Sequence, residues 1–171
     1  MARRYHICIA SVLRRYYVGI TSVRSAREGK DMVTLEEAKK RYPGAAVFSF
    51  GDTPELIAVL TDLVRSGAKR ATCSAVADID AGREEAPQVG RRDIALGPDG
   101  APAFVIETLE LRETTWETMP EEMALAEGEN ETLEGWRADH RRYYERYGIF
   151  APDMKLIWER FELIEDFGAG G

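Results

Sequence analysis

Cysteine and histidine are scarce in this chain. Cys8 and Cys73 are its two cysteines, and His6 and His140 are its two histidines. The cysteines lie far apart and form no CxxC pair, so no disulfide framework is expected and a reducing, cytoplasmic compartment is. A zinc site would have to be assembled from the two histidines and carboxylates without ligand-like spacing, so neither a metal nor a cofactor is expected. Long apolar runs are also missing. No stretch approaches the ~18 residues a membrane span needs, because Arg, Asp or Glu interrupts each one, so no membrane partner is expected.

What the chain does have is enough apolar residue for a core, 44 % of 171 positions, near the usual size of one domain. The formal charge of −7 is unevenly spread. Residues 1–30 are Arg-rich, with Glu28 their one acid. They resemble a basic N-terminal extension, expected to be poorly ordered; Arg14 and Arg15 cut the apolar run that a secretory signal would need. The body that follows is acidic. That argues against a wide groove coating duplex phosphates and leaves room for a small pocket with local cations.

The expected fold begins at Thr34, which has capping-box spacing to Glu37 and opens a helix that Pro43-Gly44 stops. A second helix starts at Thr53-Pro54, buries Leu56, Leu60, Leu63 and Val64, and ends at Gly67. Strands are expected at Arg70–Val76, Asp93–Leu96 and Ala103–Leu111, the last two joined by the turn Gly97-Pro98-Asp99-Gly100. Residues 78–92 read as a polar loop. Helices follow at Pro120–Ala126 and Leu133–Tyr147, then a strand at Lys155–Ile164 and a flexible tail at 166–171. Helices around several short strands make the class α+β, with a curled sheet or small barrel.

Three places carry candidate chemistry. Lys69 sits at a helix-to-strand junction, with Arg70 and Thr72 sharing one face of the strand. A lysine drawn out of water can act as a base, and a neighbouring threonine as nucleophile or donor. Most such Lys-Arg pairs at element ends are solvated or serve the helix terminus. Glu127, before Gly128, can act as general acid or as the charge partner of Lys69; the plainer alternative is a solvated acid in a Glu-rich stretch. Trp136, Arg137 and His140 lie on a helix where aromatics interleave with arginines. That pattern suits base stacking and phosphate contact, or simply an amphipathic helix with its aromatics turned inward. Glu107 interrupts an apolar strand and needs a cationic partner if it faces inward.

Several segments, read in order, resemble the ASCH family. They are Tyr42-Pro43-Gly44-Ala45, Phe48 to Leu56, Leu63 to Ser74, Pro87-Gln88-Val89-Gly90, Ile106-Glu107-Thr108, Ala126-Glu127-Gly128-Glu129, Leu133 to Arg137 with His140, Met154, and Glu159-Arg160-Phe161. The resemblance covers roughly residues 34–165. It implies a PUA-like β-barrel of antiparallel and mixed strands with flanking helices. Its cleft would hold the Gly67-Ala68-Lys69-Arg70-Ala71-Thr72 segment. Relatives include ribonucleases and a small amidohydrolase that removes the acetyl group from acetylated cytidine. Carried over, the catalytic set falls on Lys69, Thr72 and Glu127, with Tyr42, Arg70, Ser74, Glu107, Trp136, Arg137 and His140 as substrate-binding residues. The implied partner is RNA, a nucleotide or a nucleoside. Three functions follow: a metal-independent hydrolase of RNA, a deacetylase of acetylated cytidine, or a non-catalytic RNA-binding module. The chain departs from the family pattern in two places. Arg91 stands where an acid is usual, and Asn130-Glu131 replaces a small-residue stretch. Monomer and homodimer both stay open.

Overall fold

The computed structural model describes residues 33–168 and the backbone of the two-residue strand β1 (Ile7–Cys8). The expected extension at 1–30 otherwise lies outside the described residues, as do 169–171 of the expected tail. After β1 come α1 (Leu35–Arg41), β2 (Val47–Phe50), α2 (Pro54–Arg65), β3 (Ala71–Ala75), α3 (Val76–Asp80), β4 (Arg92–Leu96), β5 (Pro102–Thr115), α4 (Glu121–Ala126), α5 (Leu133–Arg146) and β6 (Lys155–Asp166).

Local chemistry accounts for most boundaries. Thr34 and Glu37 form the reciprocal capping box of α1. Thr53 accepts from the Leu56 amide and Pro54 opens α2. Gly67, at φ +76°, turns the chain out of α2. Thr132 caps α5 through the Gly135 amide.

The strand order is β1-β2-β4-β5-β6-β3. β2 runs parallel to β1 and β4, whereas β4–β5, β5–β6 and β3–β6 are antiparallel. The sheet is therefore mixed and the class α+β. The expected barrel is not closed: among the described residues no ladder joins β3 to the opposite edge. β5 and β6 are long, pair over most of their length, and shift register at Val105/Ile106 and Thr108/Glu110, which lets the sheet curl without sealing.

Three other expectations are corrected. β2 lies in a segment where no strand was expected. It has four residues and only Phe50 is fully buried, so it shows neither alternation nor a long apolar run. β3 stops at Ala75, and α3 follows at once inside the segment read as strand and polar loop. β6 continues to Asp166, which accepts two hydrogen bonds from Arg65 of α2, so the chain is held past residue 165.

Three apolar clusters flank the sheet. Ala71, Cys73, Ala75, Leu156 and Trp158 pack with Met119, Met123, Trp136 and Tyr144 under α4 and α5. Phe50, Phe104, Ile106 and Phe161 pack with Leu56, Leu60 and Val64 of α2. Ala38, Ile94 and Val105 form a small cluster beneath α1. Burying this apolar surface supplies the main driving force for folding.

Candidate functional site

A band of buried polar groups lies beside β3, where two loops cross. At the end of α2 the Lys69 amide bonds to the Leu63 carbonyl, and the Arg70 amide bonds to the Ala126 carbonyl. The second bond ties 67–70 to the segment after α4. Gly128, at φ +73°, passes so close to Ala68 that a Cβ there would lie 2.8 Å from the Lys69 amide and nearer still to the Ala68 carbonyl. Only glycine fits such an approach. Its turn sends Glu127 and Glu129 to different neighbours.

Lys69 is 1 % exposed. Its Nζ donates to Glu129 Oε1 at 2.5 Å, reaches the Glu127 backbone carbonyl at 3.5 Å and lies 5.3 Å from the centre of the Phe50 ring. The carboxylate bonded to the ammonium is therefore Glu129. Glu127, also buried, turns to His140, whose Nε2 is 3.4 Å from Glu127 Oε2. His140 stacks on Trp136 with ring centres 3.9 Å apart, and its Nδ1 contacts the Trp136 carbonyl at 3.0 Å. Cys73 brings its sulfur to the same place: ligand atoms of Cys73, Glu127 and His140 lie within 4.8 Å of one another. The Tyr144 hydroxyl is 3.9 Å from Cys73 Sγ.

The other face of β3 carries Thr72 and Ser74, since side chains alternate along a strand and Cys73 faces α5. Thr72 is in register with Glu159 of β6. Glu159 accepts from Thr108 at 2.5 Å, and Ser74 donates to Glu84 at 2.6 Å. Arg91 closes this end with a fork of hydrogen bonds to Asp93 at 2.8–2.9 Å and another to Glu85 at 2.8 Å.

Burial drives the electrostatics. It pushes Glu129 up to about 7, against the pull of Lys69. It pushes Glu84 up to about 7 as well, against its Ser74 bond and with Asp78 and Glu159 adding to the rise. Glu159 is raised by burial despite its Thr108 bond. Burial acts the same way on Glu127, but His140 and Lys69 outweigh it and hold that carboxyl below its ordinary range.

The structure thus brings together Lys69, Glu127 and His140 of the expected site, with Trp136 behind the imidazole. Thr72 and Ser74 line the adjoining face. The rest lie elsewhere. The Arg70 side chain is exposed and donates to the Gly67 carbonyl, so it caps α2. The Tyr42 hydroxyl donates to Glu165 and its ring packs beneath α1. Glu107 faces outward with Arg92 as its cation. Arg137 donates to the Glu117 carbonyl and lies over Trp116. Both faces of the Trp136 ring are enclosed, since the residue is fully buried. Glu129, Glu84, Glu159 and Cys73 are the additional members. Glu129 and Glu159 both stood in matching segments; only the glycine turn and the sheet register reveal what they face.

The arrangement is that of an α+β domain with a buried lysine and carboxylates at the crossing of two loops. The ASCH domain model matches residues 46–165, and the chain belongs to that family. Solved structures similar to this chain include the following two. One is a protein of Enterococcus faecalis V583 assigned to DUF984, 32 % identical, with a TM-score of 0.64 over 71 % of this chain and 77 % of that one. The other is an ASCH domain from Lactobacillus crispatus JV V101, 29 % identical, with a TM-score of 0.65 over 75 % of this chain and 85 % of that one. No curated protein matches. Among the described residues no helix is long and apolar enough to cross a membrane.

Proposed function

We propose that the chain binds RNA or a nucleotide at the band beside β3 and hydrolyses it there. The observation that carries this reading is Lys69: a fully buried ammonium, set between loop segments and adjoining a strand face that bears Thr72 and Ser74. Keeping a charge out of water is costly and needs close partners. A lysine whose only task was to cap a helix would not need that burial. ASCH domains are generally RNA-binding, which supports the choice of ligand.

The surroundings favour entry of a nucleobase end over a run of phosphates. The cations Lys69 and Arg91 are already paired with Glu129 and Asp93, which leaves few charges for a run of phosphates, while the carboxyl acceptors and hydroxyls suit the amino edge of a base. In the hydrolytic step Lys69 supplies positive charge at the developing anion and the Thr72 hydroxyl donates a hydrogen bond that positions the reacting group. The acid role assigned by resemblance to Glu127 is the least direct of the three, because the carboxylate bonded to the ammonium is that of Glu129, whereas Glu127 meets it through its backbone carbonyl. The experiment compares cleavage of end-labelled RNA by wild type and Lys69→Ala. A loss of at least tenfold is expected, and equal rates would remove the hydrolytic part of the reading.

A further inference from the structure

Two acceptors face each other in the wall behind Lys69. The Trp136 carbonyl can only accept, so the hydrogen in the His140 contact sits on Nδ1 and a neutral ring presents the bare lone pair of Nε2. That lone pair points at the Glu127 carboxylate, 3.4 Å away. Among the described residues neither Glu127 oxygen nor His140 Nε2 has a hydrogen bond of normal geometry, and both residues are fully buried. Something positive must stand between them: a proton, held by the imidazole or supplied by the Cys73 thiol beside Glu127, or a metal cation. Cys73 tips the balance toward a cation: its sulfur lies within 4.8 Å of both other ligand atoms, completing a set of sulfur, nitrogen and oxygen.

We propose that Cys73 Sγ, a Glu127 carboxylate oxygen and His140 Nε2 form a binding site for a borderline divalent cation of the zinc class. The donor set is sulfur, nitrogen and oxygen, the mixture zinc accepts. Tetrahedral bonds of ~2.0–2.2 Å set nitrogen and oxygen ligands about 3.4 Å apart. The Nε2–Oε2 separation already has that value. A hydrogen bond from imidazole Nδ1 to a carbonyl is the usual way a ligating histidine is oriented. Cys73 binds as thiolate and its proton leaves to solvent. The charges then close: a dication and Lys69 against Cys73, Glu127 and Glu129. Since all three ligands are enclosed, the metal is taken up as the chain folds and serves the wall that holds Lys69.

The test is to express the whole chain in minimal medium with cobalt(II) replacing zinc, then measure metal content and absorption. One cobalt per chain and a thiolate-to-cobalt charge-transfer band are expected. Cys8→Ser keeps the band, Cys73→Ser abolishes it, and His140→Asn lowers bound metal at least tenfold. No stoichiometric metal, metal without the band, or a band that survives Cys73→Ser would overturn the proposal. The wild-type spectrum stands even if a variant fails to fold. The readout involves no RNA, so its failure leaves the function proposed above untouched.

Discussion

Removing the Lys69 ammonium should cost far more than removing an ordinary surface lysine, and most of that cost should vanish when Glu129 is neutralised too. The pair lies at 2.5 Å, with both side chains enclosed. At an effective dielectric of ~20 the attraction is about 7 kcal/mol. Desolvation of the two ions offsets a large part of that. Deleting one partner leaves the other buried and uncompensated, which typically costs about 3–5 kcal/mol. Lys69→Met and Glu129→Gln should each fall near that range. The double variant, with both charges gone and the volume kept, should lose only about 1–2 kcal/mol, an interaction of at least ~4 kcal/mol in the cycle. Urea unfolding followed by the fluorescence of Trp136 and Trp158 reads all four proteins. Additive single effects, or a Lys69→Met loss under ~1 kcal/mol, would refute the claim that the pair acts as an enclosed unit.

Gly128→Ala should destabilise by about 3 kcal/mol or more, because it adds positive-φ strain to a backbone clash with Ala68; a change below ~1 kcal/mol in the same assay would contradict the loop crossing. Glu84 sets a pH dependence. Its folded pKa is raised from 4.5 to about 7, so its contribution is fully present below the unfolded value and is lost as pH rises toward and through 7. Linkage gives at most ~3 kcal/mol, and about half that once partial exposure of Glu84 is allowed for. Glu84→Gln should therefore flatten the fall in melting temperature between pH 4.5 and 7.5, and an unchanged profile would count against the buried carboxyl. Thr72→Val should keep stability within ~2 kcal/mol of wild type while lowering RNA cleavage at least tenfold, read as kcat at constant fold; undiminished cleavage would exclude the hydroxyl.

Much of this was legible in the sequence wherever a local rule decides the outcome. The Thr34–Glu37 box, the Thr53-Pro54 start and the Gly67 stop are contained within a few residues, and they appear as expected. Lys69 and Glu127 stood out because of their junctions with glycines. What stayed hidden depends on distant partners. β2 is too short to show a period and is defined by its ladder with β4. Glu127 and Glu129 look interchangeable in a run of acids until Gly128 turns one toward His140 and the other toward Lys69. Cys73 looked like a lone thiol because Glu127 and His140 arrive from loops and helices more than fifty residues later. Trp136 fits a stacking platform by its helix position, but the packing of α5 on the sheet encloses it.

The central claim is that the enclosed ammonium belongs to a ligand site. The most direct measurement is equilibrium binding of a fluorescent RNA oligonucleotide to wild type and to the Lys69→Met/Glu129→Gln double variant, whose fold is first verified by unfolding. The account predicts saturable binding by wild type and affinity at least tenfold weaker in the folded double variant. Equal affinity in the two, or no binding by wild type, would contradict it.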